Sequence, residues 1–233
     1  MWSYYGTKKS TADLYPKPRF KTIIEPFAGA AGYSMLHFEH DVKLFDKYEI
    51  VVGIWKYLQQ CSKDDILKLP NLFAGDKIDD IKFDCKEQKH LYGFIINSAQ
   101  VAPAQTVTSF AEKNIPVQKK HIANSLFKIK HWKIELTADY SLIPNEEATW
   151  HIDPPYQTMG TFYVKSARDI HFPKLGEWCR ERQGQVMVCE NMGANWLDFK
   201  PLKVMNGIAK SNMEAIWLNE KSVFDNKQMS MFE

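Results

Sequence analysis

The sequence predicts an α/β fold, an open, doubly wound and mostly parallel sheet, and three observations carry the prediction. A short apolar strand over residues 22–27 runs straight into the small-residue turn Ala28-Gly29-Ala30-Ala31-Gly32 and a helix-like stretch from Tyr33 to His40. A second strand, Val42 to Phe45, ends at Asp46 and gives way to Ile50, Val51, Ile54, Trp55 and Leu58, an apolar stripe at helical spacing. Strand character then returns at residues 132–136, 148–152 and 185–189, with a helical segment at 173–182 before the last. Consecutive strand-helix units imply parallel pairing, because a parallel neighbour can only be reached by a crossover.

Two further short strands, residues 202–205 and 214–218, are separated by a few turn-prone residues and read as a closing hairpin. Between residues 63 and 130 the regular alternation stops. That stretch is rich in lysine, has helical patches around 91–100 and 119–127, and is predicted to be a small, mainly helical insertion. The expected organisation is a main domain formed by residues 1–62 and 131–222, the insertion at 63–130 and a tail at 223–233.

The chain has 233 residues, enough for one ample core, and its 45% apolar and 25% charged composition is that of an ordinary folded protein. A net charge of +2 is too small to announce a polyanion partner, so any basic surface has to come from local clustering. Four cysteines, Cys61, Cys85, Cys179 and Cys189, contain no C-x-x-C pair and suggest neither a zinc site nor a disulfide framework. No apolar run approaches the roughly 20 residues of a membrane span, and the N-terminus lacks the pattern of a secretory leader. A metal-free, cytoplasmic protein with no membrane partner is expected.

Asp153-Pro154-Pro155-Tyr156 is the most specific feature. It follows a predicted strand, so a carboxylate, a rigid backbone and an aromatic ring are delivered together at the strand's carboxyl end. The prolines fix φ and remove backbone donors, leaving carbonyls free to face an amino group. An exocyclic amine on a base is a poor nucleophile, because its lone pair is delocalised into the ring. Two acceptors, Asp153 and the Pro154 carbonyl, would hold both its hydrogens and aim the lone pair outward. Tyr156 would stack on the base. The plain alternative is a strand-ending Pro-Pro turn with a capping Asp.

The second feature is Glu25-Pro26-Phe27-Ala28-Gly29-Ala30-Ala31-Gly32, where small residues after a first strand let a ligand approach the backbone. Asp46, about 20 residues on, stands where an acid can accept hydrogen bonds from ribose hydroxyls. Tight packing of the turn and a helix-capping Asp46 are the competing readings.

Taken together, these residues resemble the Dam-type, alpha-group family of DNA adenine-N6 methyltransferases. The resemblance implies a Rossmann-like methyltransferase fold, S-adenosylmethionine as cofactor and a flipped adenine in DNA as substrate. Tyr4-Tyr5-Gly6-Thr7-Lys8 resembles the family's N-terminal element, whose lysine approaches the cofactor's carboxylate, and Phe27-Ala28-Gly29-Ala30-Ala31 resembles its cofactor turn. Thr7 and Ala31 stand where the family usually has glycine. The resemblance also implies that Glu25, Pro26, Phe27 and Gly29 line the cofactor, that Asp46 binds its ribose, and that Asp139 contacts its adenine, with Asp76 as the rival for that last role. Residues 153–156 would be catalytic, and no metal would be needed.

Six lysines against one acid lie between Glu112 and Lys133, and Lys119, Lys120, Lys128 and Lys130 are the candidate DNA contacts; a solvated helix face is the alternative. His171, Glu190 and Asn191 follow the catalytic box and are expected to serve polar packing. The tail residues Gln228, Met229, Met231 and Phe232 resemble the peptide that docks into the bacterial sliding clamp, against which stands a docked or frayed terminus. Cytosine N4 in DNA, adenine in RNA, or a catalytically inactive nucleic-acid-binding relative are the alternative functions, and a nucleotide-binding oxidoreductase would leave the D-P-P-Y box unexplained.

Overall fold

The structure is a computed structural model that describes residues 1–8, 11–97, 100–158, 163–165, 167–206 and 211–219. Among these, six helices surround a seven-stranded mixed sheet. In chain order the elements are β1 (Thr22–Glu25), α1 (Gly32–Leu36), β2 (Asp41–Asp46), α2 (Glu49–Gln60), α3 (Lys63–Leu67), α4 (Lys86–Ile95), α5 (Ser109–Ser125), β3 (Lys133–Leu136), β4 (Ala148–Ile152), α6 (Phe172–Arg180), β5 (Gly184–Asn191), β6 (Lys200–Asn206) and β7 (Ser211–Leu218).

The strand order is β3-β2-β1-β4-β5-β7-β6. β1 pairs in parallel with both β2 and β4, β3 continues the parallel set beyond β2, and β5 continues it beyond β4. Only β7 runs antiparallel, inserted between β5 and β6. This mostly parallel arrangement is compatible with a Rossmann-like fold, and the direction in which successive strands are added reverses between β1 and β4. A crevice forms at such a switch point, beyond the carboxyl ends of the two strands.

Alternate residues of the central strands feed two separate cores, as the pleat requires. Ile23 packs on one face with Val42, Leu44, Trp55 and Met187, and Ile24 on the other with Trp150, Leu175, Trp178 and Val188. β4 and β5 are buried along their whole lengths, the pattern of parallel strands covered on both sides. α2 covers the first face through Val51, Ile54, Trp55 and Leu58, and α6 covers the second through Leu175, Trp178 and Cys179. His171 caps α6 by accepting the Lys174 N–H at its Nδ1.

Residues 63–130 are helical, as expected, but they share a core with the sheet. Leu69, Leu91, Phe94, Ile115 and Ile122 lie in the same apolar cluster as Ile23 and Trp55. The N-terminal segment is drawn in too, for Trp2 packs on Trp55 with ring centroids 4.7 Å apart and Tyr4 meets Phe94 edge-on. α1 is shorter than its predicted stretch and ends at Leu36, whereas α5 begins ten residues ahead of its predicted start at Lys119. No helix among the described residues is long and apolar enough to cross a membrane.

Candidate active site

A cleft opens at the carboxyl ends of β1, β2, β3 and β4, at the switch point, and encloses about 1010 Å³ including its mouth. Its walls come from segments far apart in sequence: Tyr4 to Lys8, Glu25 to Gly32, Asp46 to Tyr48, Thr137 to Tyr140 without Ala138, and His151, Asp153 and Pro155. Among residues singled out from sequence, Tyr4, Tyr5, Gly6, Lys8, Glu25, Pro26, Phe27, Gly29, Asp46, Asp139, Asp153 and Pro155 all line it. Pro154 is buried and Tyr156 lies beside the cleft without lining it. Asp76, the rival to Asp139, is outside, its carboxylate accepting the Phe73 N–H.

The turn after β1 is held by its neighbours. Ala28 donates its N–H to the Phe45 carbonyl, Gly29 donates to Asp46 Oδ2 at 2.9 Å, and the Trp55 indole donates to the Gly29 carbonyl at 2.8 Å. Gly29 has φ of +46°, and a side chain there would press on the Tyr4 ring. Ala31, where the family pattern has glycine, nevertheless adopts φ of +47°. Asp46 also accepts the Tyr48 N–H at Oδ1, 2.8 Å away. Burial pushes its carboxyl up to about 6, against the pull of these backbone donors. The Lys47 N–H also draws on the carboxylate, so backbone donors take part of its four lone-pair sites and leave accepting capacity to spare.

Asp153 stands one residue beyond β4, opposite this turn. Lys8 Nζ lies 2.9 Å from its Oδ1 and 3.4 Å from Glu214 Oε1, and 4.7 Å above the Tyr156 ring centroid. Burial raises the Asp153 carboxyl above the ordinary carboxylate range although Lys8 draws it back. For Lys8 burial disfavours the charge, but Asp153 and Glu214 override it and the ammonium is held well above its ordinary value. Lys8 therefore pairs with two carboxylates while it also lines the cleft.

Below the cleft floor, His151 Nδ1 lies 3.4 Å from Glu25 Oε2 and its ring stacks on Tyr33 at 4.6 Å. Burial opposes its charge, but Cys189 and Glu25 push it up to about 10. Glu25 in turn accepts the Ser34 N–H and ties β1 to α1. Glu190 accepts hydrogen bonds from the Gln157 and Asn191 N–H groups and from the Trp196 indole, fixing the chain just after the box. His171, Glu190 and Asn191 thus do the polar packing expected of them.

Several lining residues had not been singled out: Tyr48, Thr137, Tyr140, His151, Tyr163 and Lys165. Tyr48 carries a readable signal, being two residues after the Asp46 that ends β2. Tyr163 donates its hydroxyl to the Tyr5 carbonyl at 3.2 Å, joining the chain after the box to the N-terminal element.

The lysine expectation needs correction. Lys119 is buried on the inner face of α5, donating to the Leu69 carbonyl and, at 2.8 Å, to Asn71 Oδ1. Lys130 donates to the Gln59 and Cys61 carbonyls, and Lys128 sits over the Phe38 ring at 4.4 Å. Lys120 and Lys130, with Lys113 and Lys133, are exposed, so the correction falls on Lys119 alone. Gln228, Met229, Met231 and Phe232 lie outside the described residues. Among the described residues no cluster of His, Cys, Asp and Glu could hold a metal ion. No protein-family model matches the chain, and a search of curated proteins returns no significant relative.

Proposed function

We propose that this protein is an S-adenosylmethionine-dependent methyltransferase of Rossmann-like fold that methylates the exocyclic amino group of adenine in DNA. One observation carries the reading: Asp153 and Pro155 of the D-P-P-Y box open into the same switch-point cleft as the Gly29 turn and Asp46. A strand-ending Pro-Pro turn with no chemical role has no need of that company.

The residues present fit such a cofactor. The Gly29 backbone lines the cleft without a side chain, Asp46 has lone pairs available for ribose hydroxyls, and Tyr4, Phe27, Tyr48 and Tyr140 offer flat faces to an adenine or a sulfonium. Glu25, Asp46, Asp139, Asp153 and Asp169 line the cleft against Lys8, Lys47, His151 and Lys165, a surplus of one acid that suits a cationic ligand. When bound, S-adenosylmethionine supplies an electrophilic methyl group on a positively charged sulfur. Asp153 and the Pro154 carbonyl accept the two amine hydrogens of the base and direct its lone pair into the cleft. Tyr156 packs on the base face. Positioning of this kind accounts for most of the acceleration.

DNA rather than a free nucleoside is the proposed substrate, supported by the exposed lysines 113, 120 and 130 on and after α5. The protein would act in the cytoplasm. The tail residues Gln228, Met229, Met231 and Phe232 are proposed as a docking peptide for a sliding clamp; equal retention of the full chain and a chain ending at Lys227 in a clamp pull-down would remove that partner. Incubation with methyl-labelled S-adenosylmethionine and DNA or RNA, followed by nucleoside analysis, tests the activity. N6-methyladenine from DNA is expected. Label in N4-methylcytosine or in RNA alone would move the assignment to those substrates, and no label in any polymer would defeat it.

A further inference from the structure

Glu214 reaches the site from β7, the strand furthest along the sequence, and is 7% exposed. Its Oε1 accepts hydrogen bonds from the Tyr156 hydroxyl at 2.5 Å and the Tyr15 hydroxyl at 2.9 Å, and lies 3.4 Å from Lys8 Nζ. The same ammonium is 2.9 Å from Asp153 Oδ1 and 4.7 Å from the centre of the Tyr156 ring. One buried cation therefore serves a buried carboxylate, Glu214, and a half-buried one, Asp153, and it stands against both groups that would receive an amino-substituted base.

We propose that Glu214 is a positioning residue of the amine-binding pocket: it anchors the Tyr156 ring through its hydroxyl and takes over the Lys8 ammonium when a substrate amino group claims Asp153. This inference rests on the methyltransferase reading above. An amine that takes the Oδ1 of Asp153 displaces Lys8 from it, and an ammonium left in a buried site without a carboxylate is strongly unfavourable. Glu214 is already within ion-pair distance, so the exchange leaves no buried charge alone. Without the Glu214 charge, Asp153 is the sole partner of Lys8 and gives it up less readily. The groups facing this exchange are Lys8, Asp153, Tyr15, Tyr156 and Cys189, from the N-terminal element, the box and β5.

The test is equilibrium binding of fluorescent single-stranded oligo(dA) and oligo(dT) to the full chain, followed by anisotropy with no cofactor present. Single strands present bases that need no extrusion from a duplex. The wild type should prefer oligo(dA). Glu214→Gln keeps an acceptor for the two phenols and removes the charge; it should weaken oligo(dA) about tenfold and leave oligo(dT) unchanged, while Glu214→Asp recovers part of the loss. Adding Glu214→Gln to Lys8→Met should change oligo(dA) binding by less than about twofold, since no ammonium then needs rehousing. Tyr156→Phe, which frees the ring without touching a charge, should weaken oligo(dA) a few-fold. A wild type that prefers oligo(dA), with Glu214→Gln and Tyr156→Phe that bind it equally well or that lose both oligonucleotides alike, overturns the role of Glu214 and leaves the methyltransferase reading standing. A wild type with no preference for oligo(dA) overturns both.

Discussion

Gly29 donates its backbone N–H to Asp46 Oδ2 at 2.9 Å, and this bond ties the turn after β1 to the end of β2. It fixes two walls of the cleft to each other, so a ligand that uses the turn also meets the carboxylate. Burial pushes that carboxyl up to about 6, so it crosses between protonated and ionised forms close to neutrality. Above pH 6 it is an acceptor only; below, the bound proton makes it a donor and spends part of its accepting capacity. Affinity for S-adenosylmethionine is therefore expected to fall as pH drops from 7 to 5, by up to about tenfold per unit below 6. For the fold itself the sign is opposite. A carboxyl raised above its ordinary 3.8 has an ionised form that costs stability above pH 6, and the cost is relieved as pH falls from 6 towards 3.8. Calorimetric titration across this range checks the binding slope, with Asp46→Asn expected to flatten it; a flat wild-type profile would count against Asp46 as a ligand.

Gly6 has φ of +72°, and a Cβ added there would run into the Tyr163 hydroxyl. That hydroxyl is the one bonded to the Tyr5 carbonyl, so Gly6→Ala should both strain the backbone and push Tyr163 off the N-terminal element. Gly75 is the control, with φ of +94° and open space around the missing side chain. Gly75→Ala should cost about 1 kcal/mol, the backbone strain alone, whereas Gly6→Ala should cost about 2–3 kcal/mol and weaken binding in the cleft. For a chain of this size each kcal/mol lowers the melting temperature by roughly 2–4 °C. Equal shifts for the two variants would mean that the Tyr163 contact carries no weight.

Lys119 and Lys120 are adjacent in sequence and should behave differently. Lys119→Met removes a buried donor from the Leu69 carbonyl and Asn71, and should cost about 1–3 kcal/mol of stability with no change in the salt dependence of DNA binding. Lys120→Met should leave the melting temperature in place and, where Lys120 meets a phosphate, reduce the slope of log K against log salt by about one. Thermal melts together with binding isotherms at several salt concentrations separate the two. A loss of slope for Lys119→Met would restore it as a DNA contact.

The sheet was legible wherever a strand ends in a chemical signal. β1 ends at the small-residue turn, β2 at Asp46 and β4 at the box, and each predicted boundary falls within about two residues of the observed one. The end of β4 matched because two prolines follow Asp153, and the apolar run at 185–189 falls within the fully buried β5. Lys119 was misread for want of following the helical stripe: Ala111, Ile115, Lys119, Ile122 and Leu126 fall on one face of α5 and the turn after it, so the spacing already places the lysine inward. Glu214, Tyr15 and Tyr163 were beyond reach, since their roles depend on the antiparallel insertion of β7 and on contacts across 58 to 199 residues. A lone Glu in a strand or a Tyr in a loop carries no local mark of such a partner. The insertion at 63–130 was recognised by its helices, but its shared core with Ile23 and Trp55 is a tertiary fact that periodicity does not encode.

The most direct measurement compares wild type with Asp153→Ala in two readouts: calorimetric binding of S-adenosylmethionine, and N6-methyladenine formed in DNA by nucleoside mass spectrometry. Because in the proposed mechanism Asp153 faces the amine while Asp46 and the Gly29 turn hold the cofactor, the variant should bind S-adenosylmethionine within a few-fold of wild type and form no detectable N6-methyladenine. Methylation by Asp153→Ala at the wild-type level, or a wild type that binds no S-adenosylmethionine, would contradict the account.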